Sequence, residues 1–503
     1  MPRIGEVVSS MKAGQGPSVG DVAAKMPQPA SVPDDPSAED LEAMLTELII
    51  RYKDPAFQGE LLALQSRCLR SGVNLLLAMG PVVLQVQAPV LEKYGQPPNA
   101  KGVDNMKHAV QRRVAEGAVR VEELANEARR LLRLDAMPDR ARTAEQVLAG
   151  KLDETNKRFG IGTGELGAEE ELVEKCRGRI AADRQSSAVS AASGAYLEQL
   201  LDEQDIYVPS VLAMLKMSKY GVSVAGLQGR DVPCEVPVLG ALSPEDLFSS
   251  HVLLNRPAVL RGKWDDAHFP PLRDFCDVGF LRRCCGHRRV LVKSLGYEDQ
   301  QGRPIFVSDP ELKLPFAAFL DSLEEHARSG ARVPFYLGKV PLRKELPELA
   351  QEIERAPTCP LRDFGTCFGS LVPEGVFTYF GCGRNTTALH YDANDNLLLC
   401  IRGTKRLLLY PPSDARYLYP CNDFTRSAVV PFAKFEDLSD ELRRKFALVP
   451  QAHPIEVRLV AGDMLYLPSC WWHCVEGSDE PNMILNWWFS LHPDKMALAH
   501  AAA

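Results

Sequence analysis

The sequence lacks the features that mark secreted and membrane proteins. Its thirteen cysteines are odd in number and scattered, and no two form a CxxC pair, which is the usage of a reducing compartment with free thiols. No apolar run reaches the roughly 18 residues that span a bilayer. Residues 1–36 show neither the charged start nor the apolar stretch of a signal peptide. We therefore expect a cytosolic or nuclear protein with no membrane partner.

An excess of positive charge is also absent. Fifty-eight Lys and Arg residues against 66 Asp and Glu residues give a formal net charge of −8. This balance argues against a protein that binds nucleic acid through its overall field, although it leaves room for a local basic patch. The apolar fraction of 45% and the charged fraction of 25% are those of a globular protein. With 503 residues, the chain is long enough for two or three domains.

Composition and hydrophobic periodicity predict a multidomain chain. Apolar residues recur at helical spacing behind Ser37, which is a candidate N-cap. The sequence pattern changes at about Val232, where short runs rich in β-forming residues begin. The predicted regions are a disordered tail (1–36), an all-α bundle (37–138), a helical and flexible connector (139–230) and a mainly β domain (231–503).

The helical bundle includes a long apolar helix that Pro81 and Pro89 are expected to bend. The segment Gly80-Pro81-Val82, which leads into Leu91-Glu92-Lys93-Tyr94-Gly95, resembles the small helical family called C-ten. This resemblance covers about residues 41–138. It implies an interaction module, so a protein partner would bind through this domain.

Many short strands with Pro and Gly between them predict an antiparallel barrel or jelly roll, that is, a double-stranded β-helix, with flanking helices. Helices are expected over residues 243–250 and 314–326. The predicted strands cover residues 257–260, 290–292, 335–337, 376–380, 396–400, 406–410, 455–459, 464–467 and 483–489.

The sequence His390-Tyr391-Asp392 opens one of these strand-like runs. In a strand, residues i and i+2 share a face, so the imidazole and the carboxylate would project together while Tyr391 points away. A turn at Gly462-Asp463 would be followed by a strand and then by a short loop that positions His473. Two histidines and one carboxylate leave three positions open on a metal, which is the arrangement of non-haem Fe(II) oxygenases. Taken singly, each motif also occurs by chance or as core packing.

Lys405 lies on the next predicted strand. If its side chain points inward, it is a buried cation that requires an anion. The distal carboxylate of 2-oxoglutarate is a suitable anion, and Thr387 could add a hydroxyl donor. The alternative is that Lys405 is a solvated strand residue.

In combination these motifs are similar to those of the JmjC (cupin-like) hydroxylases, over about residues 236–492. The motifs are His390 to Leu397, Gly403 to Arg406, and Gly462 to Pro468 followed by Trp471-Trp472-His473. The resemblance implies a dioxygenase that uses Fe(II) and 2-oxoglutarate. In that reaction, 2-oxoglutarate is oxidatively decarboxylated to succinate and carbon dioxide, and a substrate C–H bond is hydroxylated.

The same resemblance implies a role for individual residues. His390, Asp392 and His473 match the iron ligands and are the expected catalytic residues. Lys405 matches the lysine that binds 2-oxoglutarate. The supporting cosubstrate residues are Thr387, Tyr336, Asn396 and Asn486, and Trp488 matches an aromatic that closes the pocket.

Two substrate classes stay open at this point. The segment from Tyr410 to Tyr419 resembles the tRNA wybutosine hydroxylases, which predicts tRNA processing. His390-Tyr391-Asp392 and Asn396 also resemble the asparaginyl (factor-inhibiting) hydroxylases, which predicts a protein side chain. A different alternative is a protein-interaction protein whose helical N-terminal domain is the main functional module. Residues 492–503 are too few for a C-terminal helix pair, so we expect no dimer of that kind.

Overall fold

The computed structural model of the chain describes two compact units. The first comprises described residues up to 132 and the second comprises those from 143 onward. The described residues are 36–61, 64, 75–132, 143–162, 168–203, 206–224, 233–240, 242–294, 297–306, 311–330, 333, 335–421 and 423–501. The predicted tail, residues 1–36, lies outside them except for Pro36.

The first unit is helical, as predicted. Its helices are α1 (Ala38–Tyr52), α2 (Leu75–Lys93), α3 (Ala100–Ala115) and α4 (Val119–Leu131). Ser37 caps α1 as expected, because its hydroxyl accepts a hydrogen bond from the Asp40 amide at 3.1 Å and the Asp40 carboxylate accepts one from the Ser37 amide. Helix α2 continues through Pro81 and Pro89. The resemblance to the C-ten family stays a prediction.

The second unit begins with helices that pack against residues of its strands. These helices are α5 (Ala144–Phe159), α6 (Ala168–Gln185), α7 (Ala191–Leu200) and α8 (Val208–Lys219). The sequence did not predict α8, although its buried face includes Val211 and Met214, which share a hydrophobic core with Trp472. The domain boundaries at residues 138 and 230 stay a prediction.

Short helices precede and interrupt the strands of this unit. They are α9 (Pro244–Leu247), α10 (Pro271–Asp274), α11 (Val278–Cys285), α12 (Phe316–Ser329), α13 (Leu342–Glu345), α14 (Pro347–Arg355), α15 (Pro360–Phe364), α16 (Asp440–Lys445) and α17 (Pro493–Ala501). The helix predicted over residues 314–326 was placed too early, because Leu314 and Pro315 pair with Val290 and Arg289 in a sheet. No helix in the described part of the chain has the length and apolar character needed to cross a membrane.

Strands form most of the remaining structure. They are β1 (Val238–Leu239), β2 (Ala258–Leu260), β3 (Arg289–Ser294), β4 (Tyr297–Glu298), β5 (Pro304–Phe306), β6 (Glu311–Pro315), β7 (Phe335–Pro341), β8 (Leu371–Gly381), β9 (Thr386–Thr387), β10 (Asp395–Arg402), β11 (Thr404–Tyr410), β12 (Pro420–Cys421), β13 (Arg426–Ser427), β14 (Ile455–Val460), β15 (Met464–Leu467), β16 (Trp472–Gly477) and β17 (Asn482–Phe489).

The strands form two main sheets. A nine-stranded sheet runs in the order β1-β2-β15-β10-β17-β8-β7-β3-β6, and a six-stranded sheet in the order β14-β11-β16-β9-β5-β4. Leu398 and Leu465 of the first sheet share a buried cluster with Leu407 and Val457 of the second. This packing of two largely antiparallel sheets through their apolar faces is the predicted jelly roll with flanking helices, and the fold class is therefore confirmed.

The short C-terminal helix α17 is anchored by a buried charge. Lys495 Nζ lies 2.6 Å from Asp395 Oδ1, and the two side chains are 3% and 0% exposed. Asp395 Oδ1 also accepts hydrogen bonds from the Tyr466 hydroxyl and the Ser469 amide, each at 3.0 Å. A helix of nine residues is marginal in isolation, so this ion pair ties α17 to β10 and β15.

Replacing Lys495 by Met should lower the free energy of unfolding by about 3 kcal/mol, because Asp395 would remain buried without its cation. Chemical denaturation measures this change. Lys344→Met is the matched control: its partner Glu374 lies 3.6 Å away and both side chains are at least half exposed, so a change within about 0.5 kcal/mol is expected. Equal effects of the two substitutions would contradict the anchoring role.

Candidate metal centre

The three side chains predicted to bind iron lie together in the second unit. His390, Asp392 and His473 each offer a ligand atom, and these atoms lie within 4.8 Å of one another. His473 Nε2 is 3.8 Å from Asp392 Oδ2, and the two imidazole centroids are 4.3 Å apart. Within the described residues, no other set of three His, Cys, Asp or Glu side chains meets the same distance limit.

A pair of backbone hydrogen bonds brings the two histidines together. The His390 amide donates to the His473 carbonyl at 3.0 Å, and the His473 amide donates to the His390 carbonyl at 2.7 Å. The prediction that His390-Tyr391-Asp392 opens a strand is wrong, because β10 begins only at Asp395. The Asp392 carbonyl instead accepts from the Cys470 amide at 2.8 Å. The backbone of His390 and Asp392 therefore hydrogen-bonds to the segment that leads to His473, and it is not part of a regular strand.

Tyr391 points away from the metal ligands, as the alternation of side chains predicted. Its ring meets that of Trp472 edge-on, with centroids 4.9 Å apart, and the side chain is buried. The residues beside both histidine ligands thus pack together on the core side. This contact stabilises the backbone that presents the imidazoles on the other side.

Hydrogen bonds orient both imidazoles toward a common point. His390 Nδ1 lies 2.8 Å from the Ala388 carbonyl and His473 Nδ1 lies 3.0 Å from the Trp471 carbonyl. Since a carbonyl only accepts, each Nδ1 donates its proton to a carbonyl, which leaves Nε2 as the ring atom that can bind a metal. Burial, together with the nearby His390, lowers the pKa of His473 to about 4, so this imidazole is neutral at neutral pH.

A cavity of about 150 Å³ opens in front of His390 and Asp392. Aromatic rings form much of its wall, and three cationic side chains also reach it. The lining residues are Lys293, Phe306, Tyr336, Gly338, Lys339, Tyr379, Thr387, Ala388, His390, Asp392, Arg426 and Trp488. Thr387, Tyr336 and Trp488 thus line the same cavity as His390 and Asp392, and their roles toward the cosubstrate stay a prediction.

Lys405 is buried, with 1% of its surface exposed. Its ammonium donates to Asn482 Oδ1 and lies 5.8 Å from the centre of the Tyr336 ring. Among the described residues no carboxylate forms an ion pair with it. Burial lowers the pKa of Lys405 to about 8. A buried cation that meets only an amide oxygen and an aromatic ring is the feature that an anionic ligand would complete.

Of the remaining predicted cosubstrate residues, Asn396 and Asn486 are not among the lining residues, whereas Thr387 is. Asn486 Nδ2 donates to Asn396 Oδ1 at 3.1 Å, and both side chains are buried. Thr387 Oγ1 accepts from the Val475 amide at 2.9 Å, which leaves its hydroxyl proton available as a donor.

Sequence reasoning missed seven of the lining residues, four of which have polar side chains. These four, Lys293, Lys339, Tyr379 and Arg426, lie on β3, β7, β8 and β13, outside the iron motifs. A polar residue inside an apolar run, such as Lys339 between Leu337 and Val340, was a signal that could have been followed. It could not have shown where the side chain points.

The residues present fit a mononuclear iron(II) centre. Two imidazoles and one carboxylate are the donor set of non-haem Fe(II) oxygenases, and the cavity beside them leaves room for further ligands. The isolated Lys405 cation fits the distal carboxylate of 2-oxoglutarate. This assignment rests on the combination of two imidazoles and one carboxylate, and not on any single motif.

We expect Asp392→Ala to weaken Mn(II) binding by more than about 100-fold, because even residues that only orient metal ligands contribute 10- to 100-fold. Titration calorimetry of the protein with Mn(II) measures this. His268→Ala is the matched control, since its imidazole is 61% exposed and, among the described residues, pairs only with Asp265. Mn(II) affinity that survives Asp392→Ala would exclude the carboxylate from the centre.

Comparison with known proteins agrees with this geometry. The family model described as "Cupin-like domain" matches residues 244–495. The human bifunctional peptidase and (3S)-lysyl hydroxylase JMJD7 is 26% identical over 52% of this chain and 86% of its own length. Lysine-specific demethylase JMJ30 of Arabidopsis thaliana is 27% identical over 61% of this chain and 67% of its own length.

A third relative, lysine-specific demethylase 8 of Xenopus tropicalis, is 26% identical over 51% of this chain and 54% of its own length. The residues matched by the family model include His390, Asp392 and His473. The chain belongs to the cupin-like JmjC family of 2-oxoglutarate-dependent dioxygenases.

Proposed function

We propose that this chain is an Fe(II)- and 2-oxoglutarate-dependent hydroxylase that acts on a protein side chain. The observation that carries the proposal is the convergence of His390, Asp392 and His473 beside a cavity, with the buried cation of Lys405 behind its wall. When bound, iron(II) and 2-oxoglutarate together supply the oxidising chemistry. The chain supplies ligands, an anion site and a protected space.

Each residue has a distinct task in this proposal. His390 and His473 donate their Nε2 lone pairs to the metal, and Asp392 adds the carboxylate that offsets part of its charge. Lys405 pairs with the distal carboxylate of the cosubstrate, assisted by the hydroxyl groups of Tyr336 and Thr387. The supporting roles of Asn396 and Asn486 are indirect, since their mutual hydrogen bond holds β10 against β17.

Trp488 and Tyr379 limit the access of water to the cavity. Trp488 is 7% exposed, and burial raises the pKa of the Tyr379 hydroxyl well above its usual value, so this group remains a neutral donor. A dry cavity strengthens the electrostatic interactions inside it.

Two observations favour a protein over tRNA as the substrate. The segment from Tyr410 to Tyr419, on which the tRNA prediction rested, is mostly buried and includes the short helix Pro412–Tyr417. Asp414 of this helix pairs with His453 at 3.0 Å. The segment therefore has a packing role that accounts for its composition.

Basic residues in two runs that could form a local basic patch, Arg282-Arg283 and Arg443 to Lys445, also pair with carboxylates. Arg282 pairs with Asp321 and Glu324, and Lys445 pairs with Asp153. Such neutralised faces bind phosphates weakly. The relatives named above are a lysyl hydroxylase and lysine demethylases, which also favours a protein substrate. A cytosolic or nuclear location and a protein partner for the helical unit stay predictions.

The affinity for 2-oxoglutarate should fall as the pH rises above about 8, because the folded-state pKa of Lys405 is lowered to about 8 and the anion requires the protonated amine. The expected loss approaches tenfold for each pH unit. Titration calorimetry with Mn(II) present measures it.

Lys405→Met should lower the affinity at pH 7 by at least about tenfold, since hydrogen bonds to charged groups contribute about 1.5–3 kcal/mol, and should remove the pH dependence. Mn(II) binding is the internal control and should persist. Unchanged 2-oxoglutarate affinity in this variant would show that another group anchors the cosubstrate.

A further inference from the structure

A buried amide without a hydrogen-bond partner lies near Lys405. The Asn385 side chain is 3% exposed, and among the described residues neither its Nδ2 nor its Oδ1 atom has a hydrogen-bond partner. Burial of such a group costs free energy, because the amide has lost its hydrogen bonds to water. Buried polar groups in folded proteins are therefore nearly always paired, and one that is not calls for a ligand or another explanation.

Three adjacent strands place Asn385 in the same row of the sheet as Lys405. In the order β11-β16-β9, Gly477 of β16 lies opposite Lys405 of β11. The Gly477 amide also donates to the Asn385 carbonyl at 2.9 Å, one position before β9. Residues opposite one another on neighbouring strands project their side chains to the same face of a sheet. Asn385 and Lys405 therefore point to the same side, and the residue between them has no side chain.

The side chain of Asn482 enters the space above Gly477. A Cβ atom at Gly477 would collide with the Asn482 amide. The hydrogen-bonding capacity of this amide is already used, because Oδ1 accepts from the Lys405 ammonium and Nδ2 donates to the Ser478 and Glu480 carbonyls. Asn482 therefore holds the Lys405 ammonium in place and has no N–H left for a ligand, whereas the Asn385 amide keeps both of its N–H groups.

The Asn385 amide also adjoins the wall of the metal cavity. A Cβ atom at Gly381 would collide with both the Asn385 amide and the Tyr336 ring, and Tyr336 lines the cavity. Thr387, which follows Asn385 by two residues and so shares its face of the strand, lines the cavity as well. Since Lys405 Nζ is 5.8 Å from the centre of the Tyr336 ring, the amide and the cation both lie next to Tyr336.

We propose, on the basis of the proposed function, that Asn385 Nδ2 donates a hydrogen bond to the distal carboxylate of 2-oxoglutarate, beside Lys405. A carboxylate accepts several hydrogen bonds at once, so the two contacts do not exclude each other. Lys405 supplies the charge, and the Asn385 amide supplies a neutral donor of fixed direction. Asn385 is then a further cosubstrate-binding residue, which helps the chain to select a 2-oxo acid that ends in a carboxylate.

Titration calorimetry of the full chain, loaded with Mn(II) in the absence of oxygen, tests this role. Asn385→Leu keeps a similar volume and removes the polar atoms. Its affinity for 2-oxoglutarate should fall about tenfold, which corresponds to about 1.4 kcal/mol, because one hydrogen bond to a charged group is lost. Its affinity for 2-oxopentanoate should be that of wild type, because this acid has the same chain length but a methyl group in place of the distal carboxylate.

Two further variants separate a contact with the cosubstrate from a packing role. Asn385→Asp keeps the shape of the side chain but adds a carboxylate near Lys405. It should lower the 2-oxoglutarate affinity more than Asn385→Leu does, because the two anions repel each other and compete for one cation. Thr386→Val is the matched control and should bind 2-oxoglutarate as wild type does. Thr386 is buried, lies on the opposite face of the strand and donates its hydroxyl proton to the Arg384 carbonyl.

Mn(II) affinity should be that of wild type in all three variants, which shows that the metal centre is folded. The inference would be overturned if Asn385→Leu or Asn385→Asp bound 2-oxoglutarate as tightly as wild type does, since the amide would then have another partner, such as a buried water molecule. Equal losses for 2-oxoglutarate and 2-oxopentanoate would assign Asn385 a packing role. A loss in Thr386→Val as large as that in Asn385→Leu would do the same.

The wild-type chain checks the proposed function separately. Failure of this chain to bind Mn(II) and 2-oxoglutarate would overturn the hydroxylase proposal and, with it, the role of Asn385. Normal binding of both by the wild-type chain, with no loss in the two Asn385 variants, would overturn the role of Asn385 alone.

Discussion

The candidate centre depends on the reciprocal backbone hydrogen bonds between His390 and His473. Each bond contributes only about 1 kcal/mol, but together they fix the relative position of two ligands that lie far apart in sequence. Asp392 follows His390 by two residues, and its own carbonyl is held by the Cys470 amide. All three ligands are thus positioned by one short antiparallel contact, with Tyr391 and Trp472 packed behind it.

Two buried lysines show how the same residue type can have different tasks. Lys495 meets Asp395 at 2.6 Å, and the carboxylate is further bonded by Tyr466 and Ser469. This cation is fully compensated and stabilises the C-terminal helix. Among the described residues, Lys405 meets only an amide oxygen and a ring. Because an uncompensated buried charge is costly, this environment is the one that the proposed anionic cosubstrate would complete.

The cavity combines elements that come from distant parts of the chain. The metal ligands flank a backbone bridge, Trp488 belongs to β17, and Lys339 comes from the irregular pairing of β7 with β8. The jelly roll provides the rigid frame for these elements.

The sequence by itself determined the class of fold and identified the three side chains that converge at the candidate centre, while the cosubstrate role of Lys405 stays a prediction. Alternating strands, the cap at Ser37 and the short spacing of His390 and Asp392 are local patterns, and local patterns can be read from sequence. The tertiary structure decided the rest. It showed that His390 lies in an isolated bridge and not in a strand, that α8 packs on the jelly roll, and that Lys339 faces the metal ligands. These features depend on partners remote in sequence, which periodicity and propensity do not encode.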